Sequence, residues 1–179
     1  LQFSVINQPD INSGYTIDDN ARALVAMCEF YELNNDDSDL EYIKIYLDYL
    51  VYCLQEDGSF LNYVDKNKNF TTQNFTENLE DSNGRAIWAL GYLMSLSSIL
   101  PVEVVEKAKF AFDRSVFNIH KLHSTRAMAF VIKGVYYADL SNHNNRHCEL
   151  IIELAERLLK MYQHESDENW KWFESYLTY

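Results

Sequence analysis

One short phrase occurs three times in this chain, and each time it opens a helix-forming segment. Asp18-Asp19-Asn20-Ala21-Arg22-Ala23-Leu24 returns as Asp81-Ser82-Asn83-Gly84-Arg85-Ala86-Ile87, and more weakly as Leu122-His123-Ser124-Thr125-Arg126-Ala127-Met128. Equivalent arginines lie 63 residues apart (Arg22 to Arg85) and then 41 apart (Arg85 to Arg126), so the repeat is irregular. A polar helix start repeated through a fold places several carboxylates and arginines at one end of it.

Six helices are predicted, at 19–33, 40–54, 82–98, 102–118, 124–140 and 146–163, and two kinds alternate. The second, fourth and sixth carry one apolar stripe each. Leu40, Ile43, Leu47, Leu50 and Leu54 mark the second, and Ile151, Leu154, Leu158 and Met161 mark the sixth. The first, third and fifth are apolar almost all round and rich in Ala and Gly, as in Ala86-Ile87-Trp88-Ala89-Leu90-Gly91. A helix apolar on every side is expected to be buried on every side, and small residues allow close approach. The alternation therefore predicts an all-α fold of three α/α hairpins, with inner and outer helix layers. It would be a toroid if the curvature closes and an open solenoid if it does not.

Composition narrows the function. Two prolines, five glycines and 47% apolar residues suit one helical domain spanning 1–179. A net charge of −12 argues against a phosphate-backbone partner, which needs clustered Lys and Arg. No apolar run approaches the length of a membrane span, and no secretory leader is seen, so a cytoplasmic setting and no membrane partner are expected. Cys28, Cys53 and Cys148 form no CxxC pair, and His120 and His123 have no third ligand at suitable spacing, so no metal or cofactor is assigned. The sequons at Asn69 and Asn74 read as accidental. The chain lacks an initiator Met and runs to Tyr179 through an aromatic cluster, from which a fragment of a longer protein is expected.

The long interval between the second and third helices, Gln55 to Leu79, is more than a tight turn requires and is more often functional than decorative in a compact helical domain. Gly58 is expected to end the preceding helix, and Phe60 to Val64 to form a short strand.

The repeated phrase has two readings. Asp18–Arg22 and Asp81–Arg85 have the i,i+4 spacing of helical ion pairs, and Asp18, Asp19, Asp81 and Ser82 are good helix caps. Alternatively, the helix starts converge into a site. The acid/base candidates are then Asp18, Asp19, Glu80, Asp81 and Glu174, since glycosidic chemistry uses paired carboxylates. Tyr15, Arg22, Arg85, Trp88, His123, Arg126 and Trp172 would hold substrate, the arginines on hydroxyls or an anionic group and the aromatic rings against sugar faces.

Three blocks carry a resemblance: Gly14 to Leu24, Glu80 to Gly91, and Trp170-Lys171-Trp172-Phe173-Glu174-Ser175-Tyr176-Leu177-Thr178-Tyr179. Together they resemble a bacterial helical domain found attached to, or encoded beside, glycosyltransferases and other glycan-processing enzymes. That domain is similar to the six-hairpin glycosidase class of (α/α)6 toroids, of which this chain would be a partial copy. The resemblance implies a carbohydrate-active domain that binds, and hydrolyses or modifies, a glycan. The alternative it implies is a non-catalytic accessory module with a glycosyltransferase domain as partner. Gln55-Glu56-Asp57-Gly58-Ser59-Phe60 also resembles a structural turn of terpene cyclases, but Asp18-Asp19 alone is too little for a diphosphate–magnesium site. A plain helical scaffold with a peptide groove is the third possibility.

Overall fold

A computed structural model describes residues 4–5 and 8–172. The described residues are all-α in character, with six α-helices and four two-residue strands. The helices are α1 (Ile17–Asn34), α2 (Leu40–Cys53), α3 (Glu80–Ser95), α4 (Val102–Ser115), α5 (Thr125–Ser141) and α6 (Asn145–Glu165). They form three antiparallel hairpins, α1–α2, α3–α4 and α5–α6. The odd helices pack side by side in the order α1, α3, α5, and each even helix lies against its own partner.

The even helices follow their predicted stripes. Ile43, Leu47, Leu50 and Cys53 bury one face of α2, while Val104, Ala108, Ala111 and Phe112 bury one face of α4. Each large side chain so buried contributes about 1.5–3 kcal/mol.

The odd helices differ from expectation. Only α3, between two neighbours, is buried nearly all round. In α1, Ala26, Phe30 and Leu33 face outward, and in α5, Ala129, Lys133, Tyr136 and Leu140 do the same. The residues recur at helical spacing, so each helix has one uncovered face. Burial on every side needs neighbours on every side, and apolar composition alone does not supply them.

The small residues act at the α3–α5 contact. A Cβ added to Gly91 would lie 2.0 Å from the carbonyl oxygen of Gly134, and one added to Gly134 would lie 2.5 Å from that of Ile87. A Cβ on Gly84 would meet Ala127 backbone at 2.8 Å. The two helices touch backbone to backbone, which hydrogen is small enough to permit.

The segment between α2 and α3 is built by two asparagines. Asn74 Oδ1 accepts from the N–H groups of Asn62 (2.7 Å) and Tyr63 (2.8 Å), and its amide donates to the carbonyls of Tyr63 and Thr71. Asn83, from α3, accepts from Phe60 N and donates to Phe60 O and Leu79 O. A loop with buried backbone must satisfy its polar groups, and these side chains do so. Asn74 is buried with its amide engaged, so its sequon is structural. Tyr63–Val64 forms the expected short strand, pairing antiparallel with Tyr15–Thr16. Gly58 has φ +85° but does not cap α2, which ends at Cys53 with Leu54 as its C-cap; it closes a turn back to Gln55 instead.

Candidate functional site

The helix starts do converge. A cleft of about 380 Å³ is lined by Thr16, Asp18, Asp19, Arg22, Asn62, Tyr63, Asn78, Asp81, Ser82, Arg85 and Arg126. It is open, and its walls are predominantly polar.

Local chemistry fixes the first wall. Thr16 caps α1: its hydroxyl accepts from Asp19 N (3.3 Å) and donates to Asp19 Oδ2 (2.6 Å), a reciprocal capping arrangement. Asn62 supplies the remaining partners, its carbonyl accepting from Ile17 N (3.0 Å) and its side chain from Asp18 N (3.2 Å). Three orphan N–H groups of the first turn are thereby satisfied. The cap is thus Thr16, not Asp18 or Asp19, which lie inside the first turn. Asp81 likewise sits in the first turn of α3, whose start is held by Asn78 accepting from Glu80 N (2.8 Å).

The acids and arginines pair from one repeat to the next. Arg85 of α3 ion-pairs with Asp18 of α1, and Arg126 of α5 lies with Nε 3.1 Å from Asp81 Oδ2 of α3. The Arg126 contact has ion-pair distance without hydrogen-bond alignment. Asp81 also accepts from the Ser124 hydroxyl at the start of α5. The predicted i,i+4 pair forms in the first copy, Arg22 to Asp18 at 2.6 Å, but no such pair forms between Asp81 and Arg85. The Arg85–Asp18 pair is the more shielded one, with side chains 15% and 23% exposed, against 54% for Arg22.

Asp18 therefore faces two guanidinium groups and Asp81 faces Arg126 and Ser124. Asp19 is bound differently. One oxygen takes the Thr16 hydroxyl, and the other lies 3.8 Å from Arg22. Among the cleft carboxylates it is the one not tied to a neighbouring repeat.

Six of the candidate residues, Asp18, Asp19, Asp81, Arg22, Arg85 and Arg126, thus share one cleft. Of the others, those among the described residues do not line it. Glu80 accepts from the backbone N–H groups of His123 (2.6 Å) and Ser124 (2.5 Å), so it holds the start of α5. The His123 side chain projects outward, 85% exposed. Tyr15 lines a separate aromatic depression with Tyr49 and Tyr52, because the strand pairing of Tyr15 with Val64 turns it away. Trp88 lies about one turn along α3 from Arg85. Its ring stacks on Phe130 at 5.7 Å, and the Lys133 ammonium sits 3.6 Å from its centre. Trp172 follows α6, part-exposed, outside the cleft lining. Glu174 lies outside the described residues.

The cleft also contains residues the sequence reading missed: Thr16, Asn62, Tyr63, Asn78 and Ser82. Thr16 had a readable signal, since Thr-x-x-Asp before an apolar run is a capping pattern. Asn62 had none, because its role depends on a contact 44 residues away in the chain.

No helix among the described residues is long and apolar enough to cross a membrane. No protein-family model and no curated protein matches the chain.

Proposed function

We propose that the cleft at the helix starts binds a glycan, and that the chain is a carbohydrate-binding part of an (α/α) toroid associated with a glycosyltransferase-type protein. The observation that carries this reading is the lining itself. Carboxylates, guanidinium groups, amides and hydroxyls of Asp19, Arg22, Asn62, Asn78 and Ser82 surround one open cleft. Such groups accept from and donate to sugar hydroxyls in pairs, and a neutral ligand is compatible with the strongly acidic chain. The resemblance of the sequence blocks to glycan-processing helical domains supports the same class of ligand.

Binding is favoured over hydrolysis by how the acids are held. A glycosidase needs two carboxyl groups free to exchange protons or attack carbon. Here Asp18 and Asp81 are engaged by arginines of the adjoining repeats, which leaves Asp19 as the ligand-facing acid. Substrate hydroxyls would meet Asp19 and Arg22 first.

A glycan array probed with the wild type, Asp19→Asn and Arg22→Ala tests the proposal. Wild type is expected to bind a defined set of glycans and both variants to lose at least about tenfold in affinity, the equivalent of one charged hydrogen bond. Turnover of a bound glycan that vanishes in Asp19→Asn would establish the hydrolytic reading instead. Absence of any bound glycan would refute both.

A further inference from the structure

A second cluster of reactive side chains lies at the other end of α5, about 20 Å along the helix from Arg126 at 1.5 Å per residue. Asp139 stands in the last turn of α5, His143 in the connection, and His147 and Cys148 in the first turn of α6. The connection wraps around Asp139. Its Oδ1 accepts from Asn144 N (2.8 Å), and its Oδ2 lies 2.9 Å from His143 Nδ1. His147 Nδ1 approaches Oδ1 to 3.3 Å from beneath.

Three features distinguish this cluster from an ordinary capped turn. Donor atoms of Asp139, His143 and Cys148 all lie within 4.8 Å of one another. Cys148 is the cysteine that the fold leaves accessible, whereas Cys28 and Cys53 are buried. Nδ1 of His147 is sealed from solvent with no hydrogen-bond partner, although its side chain is 12% exposed. A buried imidazole nitrogen aimed at a carboxylate, beside a thiol and a second imidazole, is an incomplete arrangement.

We propose that Asp139, His143 and Cys148 form a zinc(II) site, its fourth position taken by a water molecule. The donor set is mixed sulfur, nitrogen and oxygen, which suits zinc and excludes the all-oxygen preferences of magnesium and calcium. Tetrahedral zinc bonds of 2.0–2.3 Å require donors about 3.4–3.6 Å apart, so the cluster must contract by roughly 1 Å. His143 is 69% exposed and free to turn its ring for this. Binding converts the Cys148 thiol to a zinc-bound thiolate, and its proton leaves to solvent. Thiolate and carboxylate together neutralise the dication. The metal would staple the last turn of α5 to the first turn of α6.

Cobalt(II), a spectroscopic stand-in for zinc, tests the assignment on the reduced protein. The expected result is one cobalt per chain, with a sulfur-to-cobalt charge-transfer band and intense tetrahedral visible bands, both removed by adding zinc. Cys148→Ser should abolish the charge-transfer band, and His143→Ala should weaken binding at least about tenfold. His164→Ala, at an exposed histidine beside Glu165, should change nothing. In unmodified protein, zinc should slow alkylation of Cys148, a readout that needs no variant. A folded wild type without the sulfur band, equal cobalt affinity in Cys148→Ser and His143→Ala, or alkylation indifferent to zinc would overturn the site. None of these outcomes bears on glycan binding at the cleft.

Discussion

Arg22 and Arg85 occupy the same place in the repeated phrase and do different things. Arg85 spans to Asp18 of the preceding repeat, with both side chains mostly shielded from water. Arg22 stands at the outer end of the series and folds back on its own Asp18 and Asp19. Stability and binding should therefore separate at this pair. A double-mutant cycle on Asp18→Asn and Arg85→Met is expected to give a coupling of about 1–3 kcal/mol in chemical denaturation, as for a part-buried charged hydrogen bond. Arg22→Ala should cost no more than about 0.5 kcal/mol, the scale of an exposed helical pair. A coupling near zero for Asp18–Arg85 would remove the inter-repeat pairing from the account. The third copy fits the same pattern: its position equivalent to Asp81 is Leu122, which is buried, and the pairing stops there.

Among the elements, α3 and α5 show what was legible in the sequence and what was not. The periodicity located all six helices to within a few residues, because apolar spacing and helix geometry are both local. The direction of the ion pairs was not legible. Asp81 and Arg85 have helical pairing distance, yet Arg85 answers to a carboxylate 67 residues away. Nor could spacing show that Tyr15 and Trp88 point away from the acids, since strand pairing and helix rotation decide that. The glycines were readable as a sign of close packing, and they permit a sharp expectation. Gly→Ala in a helix interior normally stabilises by about 0.8–1.0 kcal/mol. At Gly91 and Gly134 the sign should reverse, with a loss of about 1–3 kcal/mol or more, because the new methyl meets backbone that cannot step aside. Thermal melting of each variant checks this, and a stabilised Gly91→Ala would mean that the helices are not in backbone contact. The 55–79 segment has its own test. Asn74→Ala removes partners from the N–H groups of Asn62 and Tyr63. Hydrogen exchange at those two amides should accelerate while the amides of α3 stay protected.

At the scale of the whole molecule, two buried thiols shape the response to pH. Burial, reinforced by the charges of Glu29 and Glu32, pushes the Cys28 thiol up to about 12. Burial alone pushes Cys53 up to about 12, against an opposing hydrogen bond from Tyr49. An unfolded cysteine ionises near about 8.5. Above that pH the unfolded chain loses protons that the folded chain keeps, so stability falls as pH rises. The loss should begin near pH 8.5 and continue to about pH 12. Denaturation midpoints of a Cys28→Ala, Cys53→Ala protein should fall less steeply with rising pH over that window than those of the wild type.

Helix starts from successive repeats build the proposed glycan cleft. Amide chemical shifts recorded while an oligosaccharide panel is added test it most directly. The expected result is a set of saturable shifts confined to Thr16–Arg22, Asn62–Tyr63, Asn78–Arg85 and the start of α5 around Arg126, the four stretches that meet around the cleft. Saturable shifts elsewhere, or none with any member of the panel, would contradict it.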